Sequence, residues 1–163
     1  MTKILAVIPT LADDPTETIK SISEQTVKVS KILVAVGSKE LYEKLTSKNL
    51  NGVEYFYVKP DFREPLGKRV ATAINTVLAK ENLREYDYLL KVDDDVVLPK
   101  RFIEENIEIN ADYVGGSGYA MILKVSSFLK IFNGKFAEVA ADDTYVGLRF
   151  LHRGFLVKQW RCL

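Results

Sequence analysis

A chain of 163 residues with 47% hydrophobic and 28% charged side chains has the size and mixture of one globular domain, long enough to bury most of the surface its unfolded form would expose. The 23 Lys and Arg are interspersed with 22 Asp and Glu for a net charge of +1, so no basic stripe exists to attract nucleic acid, which is excluded as a partner. A lone cysteine, Cys162, rules out an internal disulfide and a CxxC metal site; a short apolar start before Pro9 is no secretory signal, and no apolar stretch reaches the ~18 residues of a membrane helix, so the expected compartment is the reducing cytoplasm.

No repeat, low-complexity tract or Pro/Gly/Ser-rich linker divides the chain, and strand-like runs alternate with helical patterns. Residues 4–8 form an unbroken apolar run, a buried strand. The following Asp14-Pro15-Thr16-Glu17 predicts a helix start with Asp14 as N-cap, Pro15 as first helical residue and Glu17 as capping-box acid, leading into a helix with Ile19 and Ile22. Residues 32–36 are a second strand, after which Ser38 caps a helix carrying Leu41, Tyr42 and Leu45. Residues 53–58 are a third strand, and Val70, Ile74, Val77 and Leu78 recur at helical spacing behind it. A fourth strand spans 88–92. Three βα units leading to a fourth strand define an α/β, Rossmann-like domain with a mostly parallel sheet and helices on both faces.

Beyond Pro99 the pattern becomes mixed. A helix holds Phe102, Ile103 and Ile107; the glycine group Gly115, Gly116 and Gly118 permits close backbone approach; residues 121–123 are a short strand-like run. Val125, Phe128, Leu129 and Phe132 share a helical face that stops at Asn133-Gly134 and reads as core. After Asp142-Asp143 a helix with Val146 and Phe150 stops at Gly154, and a last, edge strand is expected at 155–157. The whole is read as one domain, 1–163, with a ligand-binding half at 1–99 and a second half at 100–163.

Ligands of open α/β sheets sit outside the carboxyl ends of the strands. Asp93, Asp94 and Asp95 occupy that place after the fourth strand. Three adjacent carboxylates repel one another unless a cation compensates, and hard oxygen donors suit Mg²⁺ or Mn²⁺. A solvated acidic turn is the plainer alternative.

With these residues in hand, the sequence resembles the family 2 glycosyltransferases of GT-A fold, from residue 3 to about 157. Ile4-Leu5-Ala6-Val7-Ile8-Pro9-Thr10 is similar to the family's first strand, followed by its first helix through Ser21-Ile22-Ser23-Glu24-Gln25-Thr26. The resemblance implies that the loop at Pro9, Thr10 and Leu11 lies against a nucleotide base, and that Arg69, within Gly67-Lys68-Arg69-Val70-Ala71-Thr72-Ala73-Ile74-Asn75, approaches base and phosphates. Val92-Asp93-Asp94-Asp95-Val96-Val97-Leu98-Pro99 resembles the DxD region, whose carboxylates hold ribose and a divalent ion bridging the diphosphate. Pairing Asp93 with Asp95 makes Asp95 the metal ligand; aligning on Pro99 makes it Asp94. Ala141-Asp142-Asp143-Thr144, with Arg149, Arg153 and Gly154 beyond, is similar to the family's acidic pair, whose second acid, here Asp143, is the usual base.

The resemblance thus implies a metal-dependent transferase that moves a sugar from a nucleotide-diphosphate sugar to an acceptor hydroxyl on a glycan, protein or lipid, with inversion. A homo-oligomer or a peripheral membrane contact through residues 155–163, with Trp160, would complete the acceptor side. One departure stands out: the family's second strand ends in an acidic pair that contacts the base, and this chain has Ala35 and Val36 there. Asp13, Asp14 or Glu40 are the candidate substitutes.

Plainer readings accompany these. Asp142 and Asp143 read equally as helix caps, Arg69 as a solvated helix residue, and the only histidine, His152, as a surface residue rather than a metal ligand. Two rival functions remain. In a haloacid-dehalogenase-like phosphohydrolase, Asp93 is the nucleophile, Asp95 its acid/base partner, Lys124 or Lys130 a phosphate clamp and Asp142-Asp143 the metal pair. The other rival is a non-catalytic nucleotide-sugar-binding module.

Overall fold

The computed structural model describes residues 1–116, 119–137 and 143–160, with Asp143 described by its backbone alone. β1 (Ile4–Thr10) is buried along its whole length, which is why its apolar run is unbroken. It is followed by α1 (Thr16–Ser23), β2 (Lys31–Val36), α2 (Lys39–Thr46), β3 (Val53–Tyr57), α3 (Leu66–Leu78) and β4 (Tyr88–Val92). The second half contributes α4 (Phe102–Ile107), β5 (Tyr113–Gly116), β6 (Ala120–Lys124), α5 (Val125–Phe132), α6 (Asp143–His152) and β7 (Val157–Gln159).

The strands form one sheet in the order β3-β2-β1-β4-β6-β5-β7. β3, β2, β1 and β4 are parallel; β6 runs antiparallel to both β4 and β5, and β7 lies parallel to β5 at the edge. Side chains of opposite parity along each strand feed two separate cores. Leu5, Val7, Leu89 and Leu123 join α3, α5 and α6 on one face, whereas Ile4, Ile8, Leu90 and Ile122 join α1, α2 and α4 on the other. The fold is therefore the expected α/β, Rossmann-like domain, with a mixed sheet that is mostly parallel. Among the described residues no helix is long and apolar enough to cross a membrane.

Several expectations shift. Helix α1 begins at Thr16, with Pro15 in the N-cap position and no side-chain cap; Asp14 instead accepts from the Thr16 amide at 3.1 Å, one residue earlier than a capping box needs, and Glu17 plays no capping part. Ser38 does cap α2, accepting from Leu41 N at 3.3 Å. α3 starts four residues before Val70, directly after Pro65. Gly115 and Gly116 lie in a strand: a Cβ at Gly115 would collide with the ring and hydroxyl of Tyr113, two residues back on the same face. Gly118 lies outside the described residues. The last strand is two residues later than expected, because the turn after α6 uses Gly154 (φ 76°) and runs on through Leu156.

Candidate functional site

β1 is flanked by β2 on one side and β4 on the other, so successive crossovers leave the sheet in opposite directions from that point. A crevice must open between the carboxyl ends of β1 and β4. A cleft of about 450 Å³ lies there. The end of β1 contributes Pro9, Thr10, Leu11 and Asp13; α3 contributes Leu66, Gly67, Arg69, Val70 and Ala73; β4 and its following turn contribute Lys91, Asp93, Asp94 and Asp95. The structure thus brings together Pro9, Thr10, Leu11, Arg69, Asp93, Asp94 and Asp95, all named from the sequence. A wider recess of about 990 Å³, between Met1, Arg84, Lys124 and Lys130, lies at the opposite end of the sheet and takes none of these residues.

The turn carrying the carboxylates is held by α1. Thr18 Oγ1 donates to Asp94 O at 2.7 Å, Ser21 Oγ accepts from Leu98 N at 3.0 Å, and Asp93 N donates to Tyr119 O at 2.9 Å. Gln25, fully buried, donates from Nε2 to Pro99 O (2.7 Å) and Ser21 O (3.0 Å) and accepts from Ile103 N at 3.0 Å. A side chain amide that satisfies three backbone groups in the interior is costly to remove, because each is left desolvated and unpaired. Gln25→Ala is expected to destabilise the fold by about 2–4 kcal/mol, read by urea unfolding, the range for two or more orphaned buried groups. The sequence stretch Ser21-Ile22-Ser23-Glu24-Gln25 has this physical role.

The other wall depends on Gly37. Its amide donates to Thr10 O at 2.8 Å, and a Cβ there would meet Leu11 O at 3.0 Å and Leu11 Cα at 3.1 Å, so a side chain would push the β1 loop off the end of β2 by a few tenths of an ångström. Ala35 and Val36 are fully buried in β2 and take no part in the cleft. Of the three substitutes for the missing acid, Asp13 lines the cleft. Asp14 is bound to Lys44 at 2.9 Å and to Thr16, which hold its carboxyl well below the usual range; Glu40 projects from α2 and lines no part of the cleft.

Charge inside the cleft is uneven. Lys91 is 4% exposed, a rare state for lysine unless paired, and its Nζ is ion-paired with Asp93 Oδ1. Half-buried Asp94 has its pKa raised, first by burial and then by the Asp13 and Asp95 carboxylates, while the adjacent Thr10 hydroxyl pulls the other way. Arg69 stacks its guanidinium 5.1 Å from the Phe62 ring centroid, and its buried Nε has no hydrogen-bond partner among the described residues. The four carboxylates of the cleft face two cations, Lys91 and Arg69, which leaves a net double negative charge. One divalent cation would balance it.

Among the described residues no three His, Cys, Asp or Glu side chains converge as a ready-made metal cage. Asp94 and Asp95 fit the alternative in which one or two carboxylates hold Mg²⁺ or Mn²⁺ and substrate phosphates complete the coordination. The first turn of α3, which carries no side-chain cap, opens onto the same cleft and suits phosphate oxygens. Sequence reasoning missed Lys91, and the signal was a single lysine inside an otherwise apolar strand, Leu89-Leu90-Lys91-Val92.

In the second half, α6 packs on β5 through Val146 and Phe150 and ends where the chain turns into β7, which runs in the direction of β4. The backbone of its first residue, Asp143, therefore starts the helix at the carboxyl end of β4. Asp142 lies outside the described residues. Arg149 stacks on Phe132 at 5.9 Å, a structural contact, and His152 is exposed at the far end of α6. Lys124 and Lys130 sit at the opposite end of the sheet from Asp93, since Lys124 pairs with Tyr88 at the start of β4. A phosphate clamped there could not reach Asp93, which removes the dehalogenase-like arrangement.

No family model matches the sequence, and no curated protein is similar to it at a significant level. Solved structures are similar in fold. TarS 1–349 of S. aureus in complex with UDP-GlcNAc superposes with a TM-score of 0.63 at 16% identity, covering 99% of this chain and 60% of that one. Glucosyl-3-phosphoglycerate synthase of Mycobacterium tuberculosis, in complex with Mn²⁺, UDP and phosphoglyceric acid, gives 0.64 at 15% identity over 97% and 68%. The 4-diphosphocytidyl-2C-methyl-D-erythritol synthase of Anaerococcus prevotii gives 0.65 at 11% identity over 97% and 86%. The chain has a GT-A-like fold. It spans about half to three-fifths of the TarS 1–349 chains it matches.

Proposed function

We propose that this chain is a glycosyltransferase domain that takes a nucleotide-diphosphate sugar, with Mn²⁺ or Mg²⁺, and transfers the sugar to an acceptor hydroxyl with inversion, in the cytoplasm. The observation that carries this reading is the switch-point cleft in which Asp93, Asp94 and Asp95 face Arg69 and the uncapped first turn of α3. Asp94 and Asp95 would hold the cation, which when bound would supply charge neutralisation for the leaving diphosphate. Pro9, Thr10 and Leu11 hold the base, and Arg69 approaches the phosphates. As the acceptor oxygen forms its bond to the anomeric carbon, its proton passes to the Asp143 carboxylate. The bond from that carbon to the diphosphate breaks on the opposite side, and its electron pair leaves with the nucleoside diphosphate.

The fold is shared with cytidylyltransferases, which is a second reading. A nucleoside triphosphate needs a loop rich in amide or basic donors around its phosphates. The loop after β1 is Leu11-Ala12-Asp13-Asp14-Pro15, with two carboxylates, no glycine and no basic side chain. This favours the sugar-transfer reading. Incubation with Mn²⁺ and a panel of nucleotide-sugars is expected to release nucleoside diphosphate; pyrophosphate release from CTP and a sugar phosphate would favour the second reading, and an inert protein that binds donor would be a non-catalytic module.

A further inference from the structure

Lysine is among the residues least often buried, yet Lys91 lies in the central strand β4, almost wholly enclosed. Its register partners are Val7 on β1 and Met121 on β6, both fully buried, so its aliphatic stem is flanked by apolar side chains of one core. Pairing with β6 continues one step past the strand, where Asp93 N donates to Tyr119 O at 2.9 Å. Asp93, two residues on, therefore shares a face with Lys91, and its Oδ1 is ion-paired with the ammonium. No step of sugar transfer calls on this ammonium.

A buried ion pair adds little to stability, because desolvation offsets much of the attraction. Its effect on the cleft is larger. Of the four carboxylates there, Asp13, Asp93, Asp94 and Asp95, one is neutralised by a cation fixed in the protein interior. A divalent ion entering the cleft thus meets Asp94 and Asp95 with a positive charge held behind them. Without Lys91, three consecutive carboxylates would be free to face the ion. The affinity of a carboxylate site for a hard cation follows the number of charged ligands it offers.

We infer that Lys91 is a positioning residue that withholds Asp93 from the cation and keeps the nucleotide-free cleft a weak metal site, so that Mn²⁺ or Mg²⁺ is held firmly only once a diphosphate adds its own oxygens; this rests on the proposed cation site at Asp94 and Asp95. Mn²⁺ titrations of the full chain without nucleotide, read by the electron paramagnetic resonance of the free ion, test it. Wild type is expected to bind Mn²⁺ with a Kd of about 10⁻⁴–10⁻³ M, the weak end of carboxylate sites. Lys91→Met is expected to tighten that Kd by about tenfold to a hundredfold, the size of effect that groups behind metal ligands have. Lys91→Arg restores the cation and Lys91→Met/Asp93→Asn neutralises the freed acid, so both should return to wild-type affinity; tightening that persists in either overturns the inference. A purely structural lysine would lower stability in Lys91→Met and leave Mn²⁺ affinity unchanged or weaker, which overturns it too. So does a wild-type Kd below about 10⁻⁵ M without nucleotide, a measurement that needs no variant to fold. Mn²⁺ that binds neither wild type nor Lys91→Met, even with UDP, CDP, GDP or ADP present, removes the cation site itself; binding that appears with a diphosphate and is indifferent to Lys91→Met removes the role of Lys91 alone.

Discussion

Asp143→Asn is expected to lower sugar transfer by about 10² to 10⁴ while sparing donor affinity, the usual contribution of a general base. Asparagine keeps the size of the side chain and one acceptor oxygen and loses only the capacity to take a proton. The first position of α6 tolerates either residue, since both suit a helix start, so folding should change little. The same substitution at Asp142 separates the two acids. If Asp142 were the base, Asp142→Asn would carry the larger loss, and Asp143→Asn would cost mainly a helix-end interaction of about 1 kcal/mol. Single-turnover transfer and donor affinity measured in both variants decide between them; near-wild-type transfer in both would remove the acidic pair from the mechanism.

The parts of the fold that were legible in the sequence are those whose side chains face protein on both sides. β1, β2 and β4 are central, so their apolar runs are continuous, and the turn after β4 could be placed at the ligand-binding end before any coordinates. β5 was not legible because the bulky Tyr113 lies over the bare Cα of Gly115, which leaves a Gly-Gly sequence where a strand would show an apolar pattern. The start of α3 was hidden for a different reason. Leu66 is exposed, and neither Gly67 nor Lys68 joins the buried stripe, so periodicity begins only at Val70. Pro9, Thr10, Leu11, Arg69, Asp93, Asp94 and Asp95 line one cleft, but Lys91 has meaning only through tertiary placement. Lys91 is notable for its burial beside Asp93, a property not written in local spacing.

Placement of Lys91 also bears on which carboxylates hold the cation. Asp93 Oδ1 is committed to a buried ammonium, and a metal ligand there would have to compete with a fixed cation. Asp94 and Asp95 have no such partner, and the mutual repulsion of Asp94, Asp13 and Asp95 would be relieved by a divalent ion. Donor binding is therefore expected to require Mn²⁺ or Mg²⁺. Asp94→Asn and Asp95→Asn should each weaken nucleotide-sugar affinity at fixed Mn²⁺ by at least the tenfold to hundredfold typical for losing even an outer-shell partner, because the removed charge is a ligand. Asp93→Asn should behave differently: it leaves Lys91 without its counter-ion at a site that is only partly open to solvent, so the loss should appear as lowered stability in urea unfolding. Calorimetry of the three variants, with Mn²⁺ and with EDTA, reads both effects. Whichever of Asp94→Asn and Asp95→Asn loses its response to Mn²⁺ identifies the principal ligand, and equal donor affinity of the wild type in Mn²⁺ and in EDTA would end the metal assignment.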